Sequence, residues 1–160
     1  MRERLGALAI IVACATVTAR ADAYTPDVTV LVRALVAEAG AIRIADHAAI
    51  LWTLDRRANR RREPLAQTAR SYCQIFRGPA GWWGESIVRA PLIELAEMAP
   101  SVVALVLDWQ RGERPRDPCD GATHFGQAHG RDLARAQRAG WRRVACREPM
   151  AMAYWVEARR

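Results

Sequence analysis

Apolar residues at Val28, Leu31, Val32, Leu35 and Val36 recur at three- and four-residue intervals, the period of a helix with one buried face. Thr25-Pro26-Asp27 supplies a hydroxyl cap, a proline at the first helical position and an acid in the first turn, and Gly40 is a natural stop. A second helix is predicted from an Asp46 cap through Ile50, Leu51 and Leu54 into Arg56-Arg57 and Arg60-Arg61-Arg62, where cations oppose the negative end of the helix dipole. A third, short helix is predicted from Pro64 to Cys73. The run Arg77-Gly78-Pro79-Ala80-Gly81-Trp82-Trp83-Gly84 is too rich in Gly and Pro for a regular element. Pro91 to Met98 reads as a helix, and Ser101 is placed to cap another that reaches Gln110. The stretch from Gly112 to Gly121 reads as loop, and Asp132 to Ala139 as a short polar helix. Trp141 to Cys146 and Ala151 to Val156, split by Glu148-Pro149, predict a small β-hairpin. The expected architecture is mainly α with a small β-hairpin, without internal repeats.

The N-terminal segment changes the picture. Arg2 and Arg4 precede an apolar stretch from Leu5 to Val17, and Ala21-Asp22-Ala23 follows as a small-x-small cleavage site. Residues 1–23 are therefore expected to be a signal peptide and residues 24–160 one domain, secreted or periplasmic in the cell envelope. A competing reading treats Ile11-Val12-Ala13-Cys14 as a lipoprotein box, with a lipid anchor on Cys14. The chain carries a formal net charge of +7, with every basic residue except histidine an arginine. Such a domain is drawn to anionic polymers: cell-wall glycans bearing peptide carboxylates, teichoic acids, lipid head groups or nucleic acid. Export makes nucleic acid the least expected of these. Beyond the leader, Cys73, Cys119 and Cys146 suit one disulfide and one thiol, and Cys119 with Cys146 is the preferred pair. Cys73 then reads as a small buried hydrophobe. No cofactor is expected, nor a metal, because the cysteines and three histidines are scattered. A monomer is expected.

Three places hold candidate chemistry. Glu38 closes the first helix among small and apolar neighbours, where burial and the helix dipole both favour the neutral acid. A glutamate kept protonated near neutral pH can donate to a glycosidic oxygen as the bond breaks. A solvated carboxylate at a helix end is the plain alternative. The loop Gly121-Ala122-Thr123-His124-Phe125-Gly126 combines small residues that admit a ligand to the backbone, two hydrogen-bonding side chains and a flat apolar ring. It reads equally well as a turn before a strand. Trp82 and Trp83, between glycines, suit stacking on pyranose rings or plugging the core. The Arg56–Arg62 run reads as a solvated face, with binding to an anionic polymer as the secondary reading. Glu85, Asp46, Asp117 and Asp120 are the candidates for a second carboxylate, and nothing in the sequence selects one.

These segments together resemble the spore cortex-lytic, or cell wall hydrolase, family. Leu31-Val32-Arg33-Ala34-Leu35-Val36-Ala37-Glu38-Ala39 is like its opening helix with the acidic catalytic residue. His47-Ala48-Ala49-Ile50-Leu51-Trp52-Thr53-Leu54-Asp55-Arg56-Arg57 resembles its second helix, with Asp55-Arg56 where Asn-Arg usually stands. Tyr72-Cys73-Gln74-Ile75-Phe76 matches a segment ending in an aromatic, and Gly121-Ala122-Thr123-His124-Phe125 its Gly-Ala-x-x-Phe loop; Trp141 and Tyr154 fall in fitting places. Ala41-Ile42-Arg43-Ile44 replaces a longer segment with a second Gly-Glu. The resemblance implies a lysozyme-like fold and cleavage of the MurNAc–GlcNAc bond of peptidoglycan, by hydrolysis or lytic transglycosylation. Glu38 would be the acid/base, with Gly121, Ala122, Thr123, His124, Phe125, Trp82 and Trp83 binding substrate. The other reading open at this point is a non-catalytic peptidoglycan-binding or envelope-interaction module with a lysozyme-like groove.

Overall fold

A helix that is apolar on nearly every side needs neighbours all round it, and the first helix has them. The computed structural model describes residues 25–41, 44–77 and 81–158. The expected signal peptide at 1–23, with Cys14, lies outside them, as do the side chains of Trp82 and Trp83. Helix α1 (Pro26–Ala39) buries Val28, Val30, Leu31, Val32, Ala34, Leu35 and Val36. Thr25 caps it through its hydroxyl, as the sequence predicts. The helices α2 (Ile44–Arg61), α3 (Leu65–Tyr72), α4 (Gly81–Arg89), α5 (Leu92–Met98) and α6 (Pro100–Gln110) all pack against α1, as does a 3-10 turn at Gln74–Phe76. Leu35, fully buried at the centre, would cost about 2–5 kcal/mol if cut to alanine.

Beyond the helices lies a three-stranded antiparallel sheet in the order β1-β3-β2: β1 (His124–Gly126), β2 (Arg142–Arg143) and β3 (Ala153–Val156). The predicted hairpin is present as β2 and β3, and β1 extends it, with Phe125 opposite Tyr154. Helix α7 (Gly130–Arg138) joins β1 to β2. Among the described residues the chain is thus mainly helical, with seven α-helices and this small sheet. None of those helices is long and apolar enough to cross a membrane.

Several expectations are corrected. The Gly- and Trp-rich run does not stay irregular: Gly81–Arg89 is helical, because Ile87 and Ala90 bury against the core and Arg33 bonds the Ala90 carbonyl at 2.8 Å. Tertiary burial outweighs the local cost of glycine. Ser101 caps nothing, since α6 starts one residue earlier at Pro100. Asp46 lies inside the first turn of α2 rather than at its cap. Its buried carboxylate turns toward β3 instead, accepting from the Ala151 and Met152 N–H groups and from the Tyr154 hydroxyl, at 3.0, 3.3 and 3.0 Å. That bond set ties the sheet to the helical body.

Cys119 and Cys146 form the expected disulfide, and Cys73 is buried as a free thiol. The bridge closes a loop of 27 residues, for which chain entropy predicts about 3.5 kcal/mol of stabilisation. The Arg147 N–H adds a backbone bond to the Pro118 carbonyl beside it.

Candidate active site

Where α1 ends decides where Glu38 points. Gly40 terminates the helix with φ +76°, a left-handed conformation costly for any residue with a Cβ, and its N–H bonds the Val36 carbonyl. His47 then locks that turn from α2, its Nε2 donating to the Gly40 carbonyl at 2.7 Å. Burial holds His47 below the usual histidine range, so it stays neutral. With Nε2 as the donor, the buried Nδ1 has no partner.

The Glu38 side chain faces the 3-10 turn, where its Oε1 accepts the Gln74 N–H at 3.0 Å. Burial pushes its carboxyl above the ordinary glutamate range; the Gln74 bond pulls it back, and the negative charge of Asp132 raises it again. The net direction is up. Glu38 opens onto a cleft of about 610 Å³, enough for several sugar rings. Tyr72 from α3 and Phe125 from β1 line the same cleft, their rings edge to face at 5.2 Å. Arg57 crosses behind them, its guanidinium 4.0 Å over the Tyr72 ring. It also donates to the Thr123 carbonyl and to His124, both at 3.1 Å.

Asp132, in the first turn of α7, is the second carboxylate of the cleft. Its Oδ2 accepts the Gln127 N–H at 2.8 Å, and the side chain lies against Gly126 so closely that any Cβ there would stand 2.7 Å from that oxygen. None of the four sequence candidates lines this cleft. Asp46 is buried under β3 and Glu85 is exposed on α4. Asp117 pairs with Arg56 and bonds the Cys119 and Gly121 N–H groups, while Asp120 pairs with Arg147. Asp132 was legible as a helix-start acid, but 94 residues separate it from Glu38, and no local spacing signals that approach.

The predicted sugar-binding loop divides. Phe125 and Gly126 line the cleft; Gly121, Ala122, Thr123 and His124 do not. Strand alternation separates His124 from Phe125, which point to opposite faces of β1. His124 stacks on Trp141 at 3.5 Å and touches Thr123 Oγ1 at 3.0 Å. Because Arg57 donates to Nε2, the imidazole must accept there and carry its proton on Nδ1. Burial, with Arg57, Arg135 and Arg60 nearby, depresses His124 to about 4. It braces the wall and is not a partner of Glu38.

The arginine run is also more than a solvated face. Arg57 and Arg61 line the cleft, and Arg56 holds the Ala122 carbonyl. Among the described residues no group of three or more His, Cys, Asp and Glu side chains is placed to hold a metal ion. In chemical terms the site offers a half-buried carboxyl group with a raised pKa, a second carboxylate, two aromatic faces and a basic rim. No protein-family model, curated protein or solved structure matches the chain.

Proposed function

We propose that the chain is a peptidoglycan-cleaving glycosidase or lytic transglycosylase of lysozyme-like type, exported to the cell envelope and akin to the cell wall hydrolases. The observation that carries this reading is Glu38, a half-buried acid held above its ordinary range and opening onto a cleft it shares with Phe125 and Asp132. In the protonated form it donates to the oxygen between MurNAc and GlcNAc as that bond breaks. The resulting carboxylate then accepts a proton from the nucleophile that attacks C1. If that nucleophile is the muramic 6-hydroxyl, the product is an anhydro end and one carboxyl group suffices. If it is water, a second carboxylate helps, and Asp132 is the group in reach of the cleft. Phe125 and Tyr72 offer faces for the sugar rings.

Glu38→Gln tests the assignment. The amide keeps an acceptor for the Gln74 N–H but cannot give up a proton, so release of muropeptides from purified sacculi should fall by about 10² to 10⁴. Stability should move the other way. A carboxyl with a raised folded pKa contributes most below its unfolded pKa and loses that contribution as pH rises through the folded one. The variant should therefore melt no lower than the parent at neutral pH. Equal cleavage by the two proteins would remove Glu38 from the mechanism. Sedimentation with sacculi without any soluble product from the parent would favour the non-catalytic binding module instead.

A further inference from the structure

The proton donor sits in an unusually basic setting. Four guanidinium groups, from Arg57, Arg61, Arg77 and Arg135, line the cleft that holds Glu38 and Asp132. They come from α2, from the residue after the 3-10 turn and from α7, so they surround the space rather than form one stripe. Arg57 is half-buried and occupied by the Thr123 carbonyl, His124 and the Tyr72 ring, which makes it part of the wall. The other three are exposed. Arg61 has solvent-side contacts of 3.2 Å to Ser71 and 3.4 Å to Glu63, which a ligand can displace at little cost. Arg135 has its guanidinium 5.5 Å over the Trp141 ring, a face contact that leaves the N–H edge available. On the opposite side of the balance, the Asp132 oxygen Oδ2 is taken by the Gln127 N–H. The four guanidinium groups thus outnumber the carboxyl groups near them, Glu38 and Asp132 in the lining and Glu63 beside Arg61. A neutral glycan would leave that excess charge unanswered.

We infer that Arg61, Arg77 and Arg135 bind ionised carboxylates borne by the glycan, so that the cleft selects acidic strands over the same strands with their carboxylates neutralised. This rests on the reading of the cleft as a glycan site and adds the charge state of its substrate. Guanidinium forks match carboxylate geometry, and a hydrogen bond to a charged group is worth enough for roughly a tenfold difference in affinity per arginine engaged. The carboxylate has two possible sources, the lactyl group of muramic acid and the attached peptide, and the chemistry at the arginines is the same for both.

The test measures binding by the full chain carrying Glu38→Gln, so that it is independent of turnover. Soluble glycan strands are prepared with their peptides, with the peptides removed to leave lactyl carboxylates, and in both forms after methyl esterification. Esterification should weaken binding at least tenfold, and the loss should shrink as salt rises. The lactyl carboxyl is bound in an amide until the peptide is removed. A preference seen only in peptide-bearing strands therefore assigns the peptide carboxylates, one seen only in stripped strands assigns the freed lactyl group, and one seen in both shows that the arginines accept either. Arg77→Gln with Arg135→Gln should remove most of the preference for charged strands, leaving only the part that Arg61 supplies, with circular dichroism confirming the fold. Binding within twofold across acidic and esterified strands, or a preference unchanged in the double variant, overturns the inference. So does a polyglycerol phosphate that binds through these arginines more tightly than any strand, since they would then read phosphate. Cleavage of sacculi by the parent chain is scored separately: its absence alongside charge-selective binding would sink the enzymatic reading and leave this one standing.

Discussion

Gly126 is the position at which a single methyl group should reveal how the cleft is held. Its φ is outside the left-handed region, so alanine meets no backbone penalty; the obstacle is Asp132. A Cβ at 126 would lie 2.7 Å from Asp132 Oδ2, 2.8 Å from its Cγ and 3.0 Å from its Cβ, closer than carbon and oxygen can pack. The carboxylate must swing away, and it then loses the Gln127 N–H that it accepts at 2.8 Å. A hydrogen bond to a charged acceptor is worth about 1.5–3 kcal/mol, and residual overpacking adds about 1 kcal/mol. Alanine also reduces the freedom of the unfolded chain, which returns about 0.4–1 kcal/mol. Gly126→Ala should therefore destabilise by about 1.5–3.5 kcal/mol in urea unfolding at constant m. The cause can be isolated with Asp132→Ala, which removes the two closest contacts and leaves the one at 3.0 Å. In that background the cost of Gly126→Ala should drop by about 1 kcal/mol or more, the coupling expected of residues in contact. An equal cost in both backgrounds, or a stabilised single variant, would refute the account of how Asp132 is seated.

Two further outcomes follow from the charges. Asp132 raises the Glu38 pKa, so Asp132→Asn should lower it. A general acid loses activity as pH rises through its pKa, and the falling limb of the pH–rate profile should shift to lower pH in that variant; an unmoved limb would show that the two carboxyl groups do not sense each other. His124 is depressed to about 4, well below its unfolded value. Its contribution to stability is present above the unfolded pKa near 6.5 and is lost as pH falls toward 4, a total of about 3 kcal/mol. His124→Gln should flatten that part of the stability curve, as followed by chemical denaturation at pH 7, 5.5 and 4.

Much of the helical frame was legible in advance because its signals are local. The cap at Thr25, the stop at Gly40 and the three- and four-residue apolar period place α1 without reference to any partner. Arithmetic on the cysteines and the position of the Gly-rich loop likewise led to the Cys119–Cys146 bridge. The exceptions have a common origin. Gly81–Arg89 carries poor helix formers but becomes helical where Ile87 and Ala90 can be buried, and Asp46 looks like a cap until β3 and the two residues before it offer three donors.

The candidate site divides along the same boundary. Glu38 stood out by itself, since an acid at the end of an apolar helix is a local anomaly. Whether that acid met a cavity, and which groups faced it there, depended on α3, β1 and α7 arriving from elsewhere in the chain. Alternation along β1 turned Phe125 into the cleft and His124 under the sheet, a choice that depends on register against β3 and not on composition. Asp132, Arg57 and Arg135 read as ordinary surface charges on two polar helix faces. Packing made them neighbours around one cleft, with Arg57 half-buried in its wall and Arg135 exposed at its rim.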